Sequence, residues 1–366
     1  MSKNTKIEWA DSSWSPWRGC TKVSPGCANC YAETLSKRNP SVLGEWGKGK
    51  PRVLAKNWNE PIAWNRRAAQ QRIEYENRWE GTLRDTHKPH SLPPPPPRPN
   101  VFPSLCDWLD DEVPIEWLIR FLELIHNTPN LNWLLLTKRP EIFRQRLAEC
   151  LADRMEVYLG LEDHSARMSA RAAWKAWDMV DGWLNGKAPQ NVWFGVSVED
   201  QIRANERIPL LLQIPACVRW LSMEPLLGPV DLECVNDGSW WDNEGANKYD
   251  ALRGIAYWWQ HGSYDHGLGG GPKLDWLVIG GESGGGARPC DVEWIRSIID
   301  QGLTSRVPVF VKQLGAVPAG SWVKGEGDLK PLDSAGWGNK IRHPKGGEWD
   351  EWPADMRVRQ YPEVQP

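Results

Sequence analysis

Six short apolar runs, each followed by a segment of helical spacing, limit the folds open to this 366-residue chain. They are Val101–Leu105, Trp133–Leu136, Val192–Val198, Val218–Met223, Trp276–Ile279 and Val307–Val311. Their apolar residues stand on consecutive positions, the pattern of strands buried on both faces, and such strands form parallel sheets covered by helices. The segments Pro114–His126, Ile142–Cys150, Ile202–Leu212 and Val292–Gly302 supply the helices. Pro114 stands at an N1-like position and Gly302 near a C-terminal end, while Pro209 weakens the third helix. A further strand near Trp14–Gly19 brings the total to about seven, one short of a closed eight-fold barrel. The expected fold is therefore α/β, a full or partial (β/α) barrel.

Residues 101–315 hold this barrel, with one long insertion at 232–273 rich in Gly, Asp, Asn and aromatics, including Trp240, Trp241, Tyr257, Trp258 and Trp259. Residues 1–100 carry the first strand, a cysteine loop, a basic helical region and a stiff polyproline connector over Ser91–Asn100. Residues 316–366 are polar and Gly-rich and are expected to cap the barrel. Right-handed crossovers place every strand's C-terminal end on one rim. That rim carries Ser104, Asp107, Thr137, Lys138, Arg139, Ser197, Glu199, Glu224, Glu282, Ser283, Lys312 and Gln313. Charged and hydroxyl groups at the ends of buried strands are costly to place without use, although an α/β sheet also needs polar residues to leave its core.

Composition narrows the class. The chain is 40% hydrophobic and 25% charged, has no 18-residue apolar stretch, and so reads as a soluble globular protein with no membrane role. Its first residues, MSKNTKIEWADSSW, lack the apolar core of a signal peptide, which predicts a cytoplasmic protein whose eight Cys are thiols or metal ligands. A net charge of −3 argues against non-specific coating of nucleic acid. The first 75 residues nonetheless carry thirteen Lys and Arg against six Asp and Glu, either a solvated surface or a phosphate-facing one.

Three of the eight Cys fall within eleven residues: Cys20, Cys27 and Cys30, in WSPWRGCTKVSPGCANCYAE. In a reducing compartment such clustering indicates metal. A structural zinc site wants four closed ligands, and only one CxxC pair is present, with no His before residue 87, so zinc would need a remote fourth ligand. A [4Fe–4S] cluster tolerates three thiolates because its fourth iron can take a small molecule. Gly19 and Gly26 precede two of the Cys and let the backbone come close. Zinc or unligated thiols remain the alternatives. Cys106, Cys150, Cys217, Cys234 and Cys290 stand singly and are expected to include buried structural thiols. The Gly-rich VIGGESGGGARP lacks the Lys-Ser/Thr pair of a phosphate-binding P-loop, though beside Arg288 it could grip an anion.

A three-Cys loop after the first strand of a (β/α) barrel resembles the radical SAM superfamily. More closely, WSPWRGCTKVSPGCANCYAE, LLLTKRPE, WFGVSVED, WLSMEPLLGP, VIGGESGGGARP, VFVKQLG and KGGEWDEWPADMRVRQYP resemble the blocks of a phage- and prophage-associated three-Cys-motif family. That family is of uncharacterised function, is considered radical-SAM-like, and is often encoded beside a partner protein. The spacing here is C-x6-C-x2-C where the superfamily usually has CxxxCxxC, and Asn29 stands where an aromatic residue usually precedes the third Cys.

The resemblance implies a radical-SAM-type barrel with an N-terminal cluster loop. Cys20, Cys27 and Cys30 would hold [4Fe–4S], S-adenosylmethionine (SAM) would bind the open iron, and an external electron donor would reduce the cluster. It further implies a cation for the methionine carboxylate, from Lys138, Arg139, Arg288 or Lys312. Ser197, Glu199 or Glu224 would meet the ribose, and Ser104 or Glu282 the amino group. The substrate is open: the basic N-terminal region and aromatic insertion suit nucleic acid, a peptide or the partner protein. The competing class is a non-catalytic metal- or Fe–S-stabilised binding module acting in phage–host interaction.

Overall fold

The computed structural model describes residues 5, 7–84, 94–159, 174–236, 246–260, 263–266, 269–320, 322–324, 327–329 and 343–363. Seven strands form one sheet: β1 (Ser12–Ser13), β2 (Asn100–Phe102), β3 (Asn132–Thr137), β4 (Val192–Ser197), β5 (Val218–Met223), β6 (Trp276–Gly280) and β7 (Val309–Gln313). They pair in that order and every pair is parallel. Sequential order with parallel pairing is what repeated crossovers produce, and the sheet is a half barrel. All six expected apolar runs are strands, with ends moved by at most three residues.

The N-terminal strand differs from expectation. β1 lies just upstream of Trp14, and Trp17–Arg18 turns away to pair antiparallel with Val53–Leu54. Both Trp14 and Trp17 are fully buried, and their indole N–H groups donate to Asn57 O (3.1 Å) and Asp107 O (3.3 Å). These bonds draw the chain off the sheet edge.

The helices longer than four residues are α1 (Tyr31–Ser36), α2 (Asn59–Arg84), α3 (Ile115–His126), α4 (Phe143–Leu159), α5 (Trp177–Leu184), α6 (Gln201–Gln213) and α7 (Val292–Thr304). α3 buries Leu118, Ile119, Phe121, Leu122, Leu124 and Ile125, the three-and-four spacing of one apolar stripe. α6 starts where the Asp200 carboxylate accepts from Arg203 N–H at 2.8 Å, and it runs through Pro209 to Gln213. Burial of Ile208, Leu211 and Leu212 offsets the hydrogen bond that Pro209 cannot make.

One apolar cluster comprises Trp9, Phe102, Leu134, Trp193, Val218, Trp220, Trp276, Val278 and Phe310; a larger one joins the remaining strand residues to the helices. Strand neighbours thus divide between two cores, as consecutive apolar positions require. In the first cluster Trp220 packs against Trp9 and Trp276, with ring centroids 5.2 and 5.7 Å away. The tail joins the sheet edge: Val311 N–H donates to Val358 O and Gln360 N–H to Val309 O, both at 2.8 Å.

In the insertion, Ala246–Asp250, Ile255–Gln260 and Ser263–His266 form a small antiparallel sheet. Trp240 and Trp241, and residues 91–93 of the connector, lie outside the described residues. Among the described residues, no helix is long and apolar enough to cross a membrane.

Candidate functional site

At the C-terminal ends of β2, β3 and β4 lies a cavity of about 120 Å³. Cys20, Cys27 and Cys30 line it from the N-terminal loop, facing Ser104, Lys138, Arg139 and Ser197 on the rim. All three cysteines are free thiols.

The loop is held in place by its own crowding. Gly19 has φ of +104°, and a Cβ there would stand 2.8 Å from Glu45 O and 2.9 Å from Arg52 Cδ, so glycine alone fits. Beside Cys20, the Thr21 hydroxyl meets Arg52 Nη2 (2.7 Å) and Glu112 Oε1 (3.1 Å), and Arg52 Nε pairs with the buried Asp110 at 2.8 Å. Two carboxylates grip the loop from later strand ends. Glu199 Oε1 accepts from the Ser24 hydroxyl and from Gly26 N–H (3.3 Å), and a Cβ on Gly26 would lie 2.5 Å from that oxygen. Glu282 Oε2 accepts from Asn29 Nδ2 at 3.0 Å, and Arg288 Nη1 donates to Pro25 O at 3.0 Å.

The rim residues fall into two groups. Glu199, fully buried, pairs with Arg207 at 2.7 Å. Its burial pushes the carboxyl pKa up, but Lys138, Arg207 and the Ser24 hydroxyl outweigh that and hold it below the ordinary range. Glu282 pairs with Arg288 at 2.6 Å; burial again pushes upward, and the bonds from Arg288 and Asn29 bring it below the ordinary range. Glu224 receives both Lys312 Nζ, at 2.7 and 2.8 Å, and Gln313 Nε2 at 3.0 Å. These residues are committed to one another. Ser104 contributes its carbonyl, which accepts from the Tyr31 hydroxyl at 2.5 Å.

Arg139, 4% exposed, donates to Asp107 (3.1 Å), to Thr21 O (2.8 Å) and to Cys20 Sγ (3.7 Å). Burial and the Asp107 charge push the Cys20 thiol up to about 12, against the opposing pull of Arg139. Among the described residues, two polar groups at the cavity lack a hydrogen-bond partner. The Ser197 hydroxyl is buried without a hydrogen-bond partner. Among the described residues, no hydrogen bond or ion pair reaches the Lys138 ammonium.

The family model described as "Protein of unknown function (DUF5131)" matches residues 4–353. The chain belongs to the DUF5131 family. No curated protein and no solved structure matches it.

In this DUF5131 chain Cys20, Cys27, Cys30 and Cys106 line one cavity. Among the described residues, no three His, Cys, Asp or Glu side chains gather closely enough to hold one metal ion. The Arg139 N–H directed at Cys20 Sγ, the orphan Ser197 hydroxyl and the Lys138 charge are suited to an anionic occupant.

Several DUF5131 residues at the site escape sequence reasoning. Ser24 and Asn29 reach Glu199 and Glu282 only through the folded cysteine loop, and Arg207 reaches Glu199 from α6. Asp107 organises the rim: its carboxylate accepts from the Thr137 hydroxyl (2.7 Å), Lys138 N–H (2.9 Å) and Arg139. Its signal was its strand-end position. Cys106, expected among the scattered thiols, lines the cavity as well.

Proposed function

We propose that the rim cavity is a radical-SAM-like iron–sulfur site that reductively cleaves SAM to a 5′-deoxyadenosyl radical. The observation that supports it most is one cavity at the rim of a parallel half barrel lined by three loop cysteines, by Lys138, whose ammonium donates no hydrogen bond among the described residues, and by the unpartnered Ser197 hydroxyl. Cys20, Cys27 and Cys30 would hold [4Fe–4S] through three irons. When bound and reduced, that group supplies the electron that breaks the sulfonium C5′–S bond.

The chain's own residues bind and orient. Lys138 offers its charge to the methionine carboxylate and Ser197 its hydroxyl to the ribose. Arg139, oriented by Asp107, fixes Cys20 and offsets negative charge beside it. Glu199 and Glu282 serve the site by positioning the loop. Glu224 with Lys312, and Arg288 with Glu282, shape the rim through their mutual bonds. The radical would act on an unidentified substrate, with nucleic acid in a phage setting as the class that the basic N-terminal region suits.

A second reading has its own support. Because Glu199, Glu224, Glu282, Arg288 and Lys312 all pair within the protein, few rim groups remain for SAM, as in a non-catalytic Fe–S-stabilised module that works with a partner protein. Anaerobic reconstitution followed by metal analysis and SAM titration separates the two. The radical-SAM-like reading expects equal iron and sulfide, four of each per chain. It also expects SAM binding that Lys138→Ala weakens about tenfold or more, the loss of a charged hydrogen bond. A cluster that binds no SAM supports the second reading; zinc in place of iron contradicts both as far as iron–sulfur is concerned.

A further inference from the structure

Four of the eight cysteines, not three, line the rim cavity. The fourth is Cys106, from the loop that follows β2; Cys150, Cys217, Cys234 and Cys290 do not line it. The backbone around Cys106 is fixed on both sides. Leu105 N–H donates to Ser15 Oγ at 2.9 Å, and the Asp107 carboxylate and carbonyl are held by Thr137, Lys138 N–H and the Trp17 indole. The Ser197 hydroxyl, 1% exposed and without a partner, faces the same cavity. A buried hydroxyl with nothing to bond is unfavourable, so the cavity is built for a ligand and not simply closed by packing.

We propose that Cys106 is the fourth protein thiolate of the site, bonded to the iron left open by the other three whenever no small molecule occupies it. This rests on Cys20, Cys27 and Cys30 being ligands of a [4Fe–4S] cluster. On binding, Cys106 loses its proton to solvent as its sulfur bonds to iron. An incoming amino-carboxylate chelate breaks that Fe–S bond and the thiolate takes a proton back, with no change in oxidation state. Cys106 thereby shields a position that would otherwise lose its iron on mild oxidation, when a three-thiolate cluster passes to a three-iron form.

The test uses the full chain reconstituted anaerobically without SAM, oxidised with ferricyanide, and followed by electron paramagnetic resonance and iron analysis. Wild type and Cys150→Ala should keep all their iron, whereas Cys106→Ala and Cys106→Ser should each lose one iron per cluster and show the three-iron signal. The serine variant keeps the side-chain volume, and circular dichroism reports folding in each case. Wild type giving the three-iron signal in the same yield as Cys106→Ala would overturn the assignment of Cys106. Wild type taking up zinc, or no iron and sulfide at all, would overturn the cluster reading beneath it and would be seen before any oxidation.

Discussion

Gly26 has no room for a side chain, because Glu199 already stands where its Cβ would be. Gly26→Ala should therefore push the loop away from Glu199 and lower iron uptake on reconstitution, with circular dichroism unchanged; uptake equal to wild type would show that the grip on the loop is dispensable. The buried Glu199–Arg207 pair makes a second prediction. Glu199→Gln leaves Arg207 charged and unpaired in the interior, and urea unfolding should report a loss of about 3 kcal/mol, the usual cost of breaking such a pair. Cys20, Cys27 and Cys30 were legible because their spacing is local, and Ser104, Lys138 and Ser197 because strand ends can be read from apolar runs. The partners were not legible: Ser24 meets Glu199 across 175 residues and Asn29 meets Glu282 across 253, and no local pattern records a contact of that kind.

The strands were the most readable elements, since burial on both faces leaves an unbroken apolar run. The N-terminal strand was misplaced because Trp14 and Trp17 look like strand residues while their indoles anchor to Asn57 and Asp107. Gly195, in the middle of β4, belongs to this scale. A Cβ there would collide with the Trp220 indole of β5, whose N–H donates to Trp193 O at 3.2 Å. Gly195→Val should destabilise the protein by about 1–3 kcal/mol through overpacking, measured as a lower urea midpoint with an unchanged slope. A neutral result would mean that the strand shifts freely, against the close pairing of β4 with its neighbours on both sides.

For the whole molecule, the proposed metal site would ride on a scaffold that does not depend on it. Arg52–Asp110, Glu199 and Glu282 hold the cysteine loop, and Cys20, Cys27 and Cys30 belong to neither apolar cluster. Iron removal by a chelator should leave far-UV circular dichroism intact, unlike a zinc finger, which unfolds without its metal; unfolding on removal would contradict that independence. Among the described residues, eight of the chain's 25 Trp are fully buried, several as partners in the aromatic packing on either side of the sheet. What separates an enzyme from a metal-stabilised module is turnover. The most direct measurement is chromatographic detection of 5′-deoxyadenosine after anaerobic incubation of the reconstituted chain with SAM and dithionite. Release that depends on reductant and disappears in Cys20→Ala, Cys27→Ala and Cys30→Ala is the expected result; an intact cluster that leaves SAM uncleaved would contradict it.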